Sequence, residues 1–84
     1  MIELKKVYKK FDNHDVLKNI SFTVKEGEIF VIIGLSGTGK TVTLRHIAGL
    51  EEPDKGEILI DGVRMNGASN TVKAHLRKKM GVVC

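Results

Sequence analysis

Cysteine, proline and tryptophan are scarce in this sequence. Its 84 residues include one cysteine, one proline and no tryptophan. The single cysteine, Cys84, cannot form a disulfide bond within the chain, so the sequence is not that of a disulfide-stapled secreted domain. We therefore expect a reduced, cytoplasmic protein.

Long hydrophobic runs and aromatic residues are also lacking. The longest uninterrupted apolar run covers residues 29–33, whereas a membrane-spanning helix needs about 20 apolar residues. The first residues contain no apolar segment typical of a signal peptide. One tyrosine and three phenylalanines offer few platforms for stacking nucleic-acid bases. Any association with a membrane is therefore expected to depend on partner subunits, and no nucleic-acid partner is expected.

What is present is the composition of a soluble globular domain. Apolar residues make up 42% and charged residues 29% of the sequence. A single domain of this length buries only about 60–65% of its unfolded surface. The net charge is +4, and residues 64–84 carry five basic residues and no acidic one. We interpret this basic segment as solvated helix-end surface; the alternative is a patch for nucleic acid or anionic lipid.

Apolar patterns before residue 34 predict strands. The alternation in residues 2–8 slips after Leu4, and a polar cluster at residues 12–15 predicts a turn. Alternation at residues 20–24 predicts a half-buried strand. The continuous, mostly β-branched run at residues 29–33 predicts a central strand covered on both faces.

A helix is predicted directly after a glycine-rich turn at residues 34–39. Its apolar residues recur at spacings of three and four: Leu44, Ile47 and Ala48. Arg45 and His46 are expected to point away from that face. Gly49 is the predicted end of the helix.

Two further elements are predicted in the second half. The Asp-Gly dipeptide at positions 61–62 favours a two-residue hairpin, because both residues can adopt positive φ. A Ser-Asn cap at residues 69–70 begins a second helix with Val72 and Leu76 on one face. Residues 82–84 resemble the opening of another strand, so the sequence looks interrupted rather than finished.

One motif carries chemistry. Residues 34–41 match G-x-x-x-x-G-K-[ST] at every fixed position, between a predicted buried strand and a predicted helix. Glycines let successive backbone N–H groups point into one concavity, and the positive end of the following helix also attracts phosphate. Lys40 can reach the outer phosphates, and the Thr41 hydroxyl can bind Mg²⁺. The segment therefore predicts a nucleotide-binding phosphate loop, or P-loop.

The sequence around this loop resembles the N-terminal part of an ATP-binding cassette (ABC) transporter ATPase. The segments that carry the resemblance are VLKNISFTV at 16–24, the loop itself, LRHIAGL at 44–50 and PDKGEI at 53–58. The resemblance implies an α/β fold, a truncated P-loop NTPase made of an N-terminal antiparallel β subdomain and the start of a RecA-like core. Residues 1–84 would then be a partial nucleotide-binding domain that ends just before the Q-loop.

The resemblance also implies site residues for ATP and Mg²⁺. ABC ATPases stack adenine on an aromatic residue of an early loop; Phe11 matches that position, Tyr8 is the fallback, and the alternative is a simple core or turn aromatic. The expected metal ligand is Thr41. The expected nucleotide-binding residues are Phe11, Gly34, Leu35, Ser36, Gly37, Thr38, Gly39, Lys40, Thr41 and Val42.

Other family residues have no match here. ABC ATPases dimerise head to tail, work with membrane permease subunits at the inner face of the cell membrane, and use a Q-loop glutamine, a signature motif, a catalytic glutamate and a switch histidine. Cys84 stands where an aromatic residue usually precedes that glutamine. His14, His46 and His75 match no catalytic position and are expected on the surface or a helix face. We therefore expect no catalytic residue in these 84 residues, weak nucleotide binding and negligible hydrolysis by the segment alone.

Several functions stay open at this point. Val42 stands where the family often has threonine, and the stretch GKTVTLRHI at 39–47 resembles lipid-transport ATPases of the Mce/Mla type. The alternatives to a transport ATPase are a non-catalytic nucleotide-binding remnant, a small-molecule kinase, and a soluble ABC ATPase that acts on nucleic acid. The sequence indicates neither the transported substrate nor the direction of transport.

Overall fold

The structure, a computed structural model, describes residues 1–25 and 37–80, with side chains from residue 40 onward in the second range. Three predictions lie wholly or partly outside the described residues. They are the central strand at 29–33, the first part of the glycine-rich turn at 34–36, and the segment after the second helix at 81–84.

The described residues form four strands and two helices. In chain order these are β1 (Ile2–Phe11), β2 (His14–Val24), α1 (Gly37–Ile47), β3 (Lys55–Ile60), β4 (Val63–Arg64) and α2 (Asn70–Met80). The strands form one antiparallel sheet in the order β2-β1-β3-β4. The predicted N-terminal antiparallel β subdomain is therefore confirmed.

The turn between β1 and β2 is shorter than the turn predicted at residues 12–15. Asp12 and Asn13 form its turn with φ of 46° and 67°. His14 already pairs with Phe11 across the two strands. Two central residues with positive φ match the twist of the flanking strands, which explains why the turn needs no more of the polar cluster.

A bulge in β1 accounts for the slip in its alternation. Lys6 has φ of 49°, and the pairing with β2 shifts between Leu4 and Val7. The Lys6 amide donates instead to Ser21 Oγ at 2.8 Å. On the other side Gly56 of β3 has φ of 97° and lies against the Lys6 backbone. The extra residue keeps both Leu4 and Val7 buried.

The predicted hairpin at residues 61–62 is confirmed. Asp61 and Gly62 have φ of 49° and 80°, and Ile60 pairs with Val63. The Asp61 amide also donates to the Met1 carbonyl at 2.7 Å. The turn is thereby joined to the start of β1.

The beginning of α1 differs from the prediction. The glycine-rich turn was expected to run to Gly39, but the backbone is helical from Gly37. The end of the helix follows the prediction: Gly49 has φ of 77°, its amide donates to the His46 carbonyl, and the Leu50 amide donates to the Arg45 carbonyl. These two bonds form a Schellman cap, which satisfies carbonyls that the helix end leaves free.

The buried face of α1 was predicted wrongly in two places. His46 is fully buried rather than pointing away from the core, whereas Leu44 is 49% exposed. The covered residues of the helix include Val42, Thr43 and Ile47, so the face that packs is rotated from the expected one. His46 tolerates this position because its Nδ1 lies 2.8 Å from the Val42 carbonyl oxygen.

Helix α2 has the predicted N-cap, but only one of the two residues predicted for its apolar face is buried. Ser69 Oγ accepts a hydrogen bond from the Val72 amide at 3.2 Å, as an N-cap residue does. Leu76 is buried, but Val72 is 39% exposed. A single leucine therefore anchors the middle of this helix.

One apolar core joins the sheet and both helices. Its buried members are Leu4, Val7, Leu17, Val42, Ile47, Ile58, Ile60, Met65 and Leu76. Because these residues come from β1, β2, β3 and both helices, the core fixes α1 against the sheet. Among the residues that the structure describes, no helix combines the length and hydrophobicity needed to cross a membrane.

Candidate nucleotide-binding site

The N-terminal turn of α1 has the properties of an anion-binding helix end. The helix begins at Gly37, and its first turn contains no acidic residue. The first amides of a helix have no partner within it and form its positive end. Lys40 and Thr41 are both exposed in the following positions. A phosphate at this end would therefore meet free amides and a lysine.

Val42, the last residue of the predicted nucleotide-binding set, differs from Lys40 and Thr41, which are exposed. Its side chain is buried in the core cluster. Only the backbone of Val42 is therefore available to contact a ligand. Its side chain packs α1 against the sheet. Of the other predicted loop residues, Gly34, Leu35 and Ser36 lie outside the described residues, and Gly37, Thr38 and Gly39 are described only as helical backbone.

Phe11, the predicted base-stacking residue, lies at the end of β1 just before the Asp12-Asn13 turn. Its ring is 37% exposed, and Lys9 Nζ lies 5.2 Å from the ring centroid. Tyr8, the fallback, is half-buried, with Lys55 Nζ 5.7 Å from its ring centroid. The more accessible ring is that of Phe11, which favours it as a stacking surface.

The two predicted parts of the site lie on different elements. Phe11 belongs to β1, and Lys40 belongs to α1, which contacts β2, the neighbour of β1 in the sheet. Phe11 and Lys40 are therefore linked through the sheet: α1 packs on β2, and β2 pairs with β1.

The segment at residues 51–54, after α1, is fastened to β1 by backbone bonds. The Asp54 amide donates to the Tyr8 carbonyl at 2.8 Å, and the Lys10 amide donates to Asp54 Oδ2 at 2.8 Å. The bond from the Lys10 amide, together with the nearby Lys9 ammonium, holds the pKa of Asp54 below its usual value. Asp54 is therefore an ionised anchor between the segment and the strand.

Lys9 contacts three residues of this segment. Its ammonium donates to the Glu52 carbonyl at 2.8 Å and lies 3.5 Å from Asp54 Oδ1 and 3.9 Å from Glu51 Oε2. Glu51 Oε1 in turn lies 3.5 Å from Arg45 Nη2 of α1. No local sequence pattern indicates this cluster, because Lys9 lies far along the chain from the residues that it contacts.

Glu52 connects the same segment to α2. Its carboxylate accepts a hydrogen bond from the Gly67 amide at 2.9 Å and pairs with Lys73 Nζ at 3.1 Å. Partial burial acts to raise the pKa of Glu52, but the Gly67 and Lys73 interactions outweigh it and the pKa is lowered. The carboxylate is thus held in its charged form.

Three of the five basic residues in the final quarter of the chain have partners within the fold. Lys73 pairs with Glu52, Arg77 donates to the Ala48 carbonyl at 2.9 Å, and Lys79 lies 3.0 Å from Asp61 Oδ2. These ion pairs and hydrogen bonds within the fold leave the three side chains less available to contact a polyanion. This finding favours the interpretation of the basic segment as helix surface over a nucleic-acid patch.

Histidines do not form a further site. His14 and His75 are exposed, as expected. His46 is buried, and its Nε2 has no hydrogen-bond partner among the described residues. No three His, Cys, Asp or Glu side chains within residues 1–25 and 40–80 are grouped as metal ligands.

Comparison with known proteins places this sheet and helix in one family. The family profile described as ABC transporter matches residues 17–84. The chain is 51% identical over 65 residues to the spermidine/putrescine import ATP-binding protein PotA of Trichodesmium erythraeum. This alignment covers 77% of the chain and 17% of PotA. It is 46% identical over 83 residues to the methionine import ATP-binding protein MetN of Clostridium tetani, covering 99% of the chain and 26% of that protein.

Solved structures agree with the sequence comparison. The dimeric structure of MJ0796, described as a bacterial ABC transporter cassette, matches 93% of the chain with a TM-score of 0.81 and 35% identity. The chain covers 35% of that structure's chain. The chain therefore spans well under half the length of the proteins it matches.

Proposed function

The chain belongs to the ABC transporter family, and on this premise we propose that it is the N-terminal nucleotide-binding part of a transport ATPase subunit. The subunit would bind Mg-ATP and use its hydrolysis to power transport across a membrane. The two relatives described above are named as import ATP-binding proteins, which supports this assignment.

The observation that carries the proposal is the position of Lys40 and Thr41. Both side chains are exposed beside the N-terminal turn of α1, and that turn has no acidic residue. In the proposed site the helix amides and Lys40 hold the phosphates, and Phe11 stacks on the base.

The residues present also fit a magnesium ion. Thr41 presents an exposed hydroxyl next to the lysine, and Mg²⁺ prefers oxygen ligands while keeping several waters. We assign the protein ligand of the ion to Thr41. The ion neutralises charge on the phosphates when it is bound. In the proposed subunit these 84 residues would hold the phosphates and the ion, and the water-activating residue of the reaction would come from another part of the subunit.

Two kinds of partner follow from the assignment. We propose that the subunit pairs with a second nucleotide-binding domain, since a solved relative is dimeric. We also propose that transmembrane subunits carry the substrate and bring this protein to the inner face of the membrane. The pointer to lipid transport rests on the stretch at residues 39–47, which includes Val42, and it stays a prediction. The side chain of Val42 itself packs in the core.

Release of inorganic phosphate from Mg-ATP tests this function. The full-length subunit is expected to hydrolyse ATP, and Lys40→Ala is expected to lower the rate at least about a hundredfold, because the lysine acts on the transferred phosphoryl group. The matched control is Lys18→Ala, which removes an exposed lysine of β2. Equal rates for the Lys40 and Lys18 variants would overturn the proposal. Residues 1–84 alone are expected to show no release above background.

A further inference from the structure

Phe11 is not part of the apolar core that the described residues form. It lies at the last position of β1, beside a two-residue turn, and more than a third of its surface is exposed. An aromatic ring in such a place can adopt several rotamers. A stacking surface loses affinity for its ligand when it must be ordered during binding.

Lys9 lies against that ring. Its ammonium lies 5.2 Å from the ring centroid of Phe11, within the range of a cation–π contact. The lysine itself is fixed, because its side chain is only 15% exposed and its ammonium is bound by the Glu52 carbonyl at 2.8 Å. A cation held by the Glu52 carbonyl therefore lies against a partly exposed ring.

The fixed lysine is also connected to the helix that carries the phosphate site. Glu51 uses one carboxylate oxygen for Lys9, at 3.9 Å, and the other for Arg45 of α1, at 3.5 Å. The chain of contacts runs from α1 through Glu51 and Lys9 to Phe11. These ion pairs help to hold the Lys9 ammonium in place beside the ring.

We infer that Lys9 is a positioning residue that holds the Phe11 ring in the orientation needed to stack on the nucleobase. The inference rests on the proposed function, in which Phe11 contacts the base and Lys40 the phosphates. It assigns to Lys9 an effect on the affinity for the base and none on the affinity for the phosphates.

The test compares ATP with inorganic triphosphate, which has the phosphates and lacks the base. Equilibrium dissociation constants of both, with Mg²⁺, are measured on the full-length subunit. Lys9→Met keeps the apolar stem and removes the charge. We expect it to weaken ATP binding about three- to tenfold and to leave triphosphate binding unchanged, in keeping with the strength of a partly buried cation–π contact. Lys9→Arg keeps the cation and is expected to retain most of the ATP affinity.

Two further variants complete the design. Lys10→Met removes the neighbouring charge, which pairs only weakly with Asp15 at 3.9 Å, and is expected to change neither affinity. In a Phe11→Ala background, Lys9→Met is expected to have no additional effect on ATP binding, because the ring that it positions is gone.

The outcomes separate the two claims. Equal losses of ATP and triphosphate affinity in Lys9→Met would overturn the inference. Unchanged ATP affinity in Lys9→Met would also overturn it, and so would a full loss of ATP affinity when Lys9→Met is added to Phe11→Ala. Wild-type protein that binds triphosphate as tightly as ATP has no base site, which overturns the role of Lys9 while leaving the phosphate site intact. Wild-type protein that binds neither ligand contradicts the proposed function itself.

Discussion

Gly56 is the residue at which a single methyl group should do most harm. A Cβ built on Gly56 lies 2.4 Å from the carbonyl oxygen of Lys6, and its φ of 97° is one that residues with side chains rarely adopt. We expect Gly56→Ala to lower the free energy of unfolding by about 2–4 kcal/mol, through backbone strain and displacement of the β1 bulge. Urea denaturation followed by circular dichroism measures the change.

Gly62→Ala is the matched control for this prediction. Gly62 also has a positive φ, of 80°, but a Cβ there meets nothing within 4 Å. Its cost is expected to be about 1 kcal/mol, from the backbone conformation alone. Similar losses for the two variants would show that close contact with β1 is not what makes Gly56 necessary.

For individual residues, the sequence predicts a chemical role better than it predicts burial and contacts. Lys40 and Thr41 are predicted as site residues from their motif, since its spacing is that of a phosphate loop. The burial of His46 was not predicted, because periodicity reports only apolar positions and His46 packs through a bond to the Val42 carbonyl oxygen. The cluster of Lys9, Glu51 and Arg45 was also missed, since ion pairs between distant positions leave no local pattern.

Among the elements, α2 is attached to the core mainly through Leu76. That side chain is 2% exposed, whereas Val72, one turn earlier, is largely outside the core. We expect Leu76→Ala to cost about 2–4 kcal/mol of unfolding free energy and Val72→Ala less than about 0.5 kcal/mol. Denaturation midpoints of the two variants measure the difference. A larger loss for Val72→Ala would contradict the packing of α2 described here.

Elements with a local signal were predicted well. The Asp61-Gly62 hairpin, the Ser69 cap and the Gly49 helix end each follow from short-range preferences of the backbone. The rotation of α1 about its axis was predicted wrongly, because the helix has apolar residues on more than one side and the sheet decides which of them are covered. The exposed Leu44 is the clearest example.

On the scale of the whole molecule, Asp61 joins three separate parts of the chain. Its carboxylate binds the amino-terminal ammonium of Met1 and Lys79 of α2, while it occupies the turn between β3 and β4. The hydrogen bonds from the amino terminus and from Lys79 lower its pKa from the ordinary value of 3.8.

The lowered pKa of Asp61 predicts part of the acid sensitivity of the fold. A carboxylate with a lowered folded-state pKa stabilises the protein above the ordinary value and loses that contribution as the pH falls through the lowered one. We therefore expect Asp61→Asn to flatten the dependence of unfolding free energy on pH below about pH 4. Asparagine tolerates positive φ, so the turn is retained. Urea titrations at several pH values measure the slope; an unchanged slope would contradict the role of this carboxylate.

The central claim is that the N-terminal turn of α1 holds the phosphates of ATP. The most direct measurement is calorimetric titration of the full-length subunit with Mg-ATP, using wild type, Lys40→Ala and Lys18→Ala. We predict that Lys40→Ala weakens binding at least about tenfold, because it removes a charge beside the phosphates, and that Lys18→Ala leaves binding at the wild-type value. Equal affinity of all three proteins for Mg-ATP, or no binding by the wild type, would contradict it.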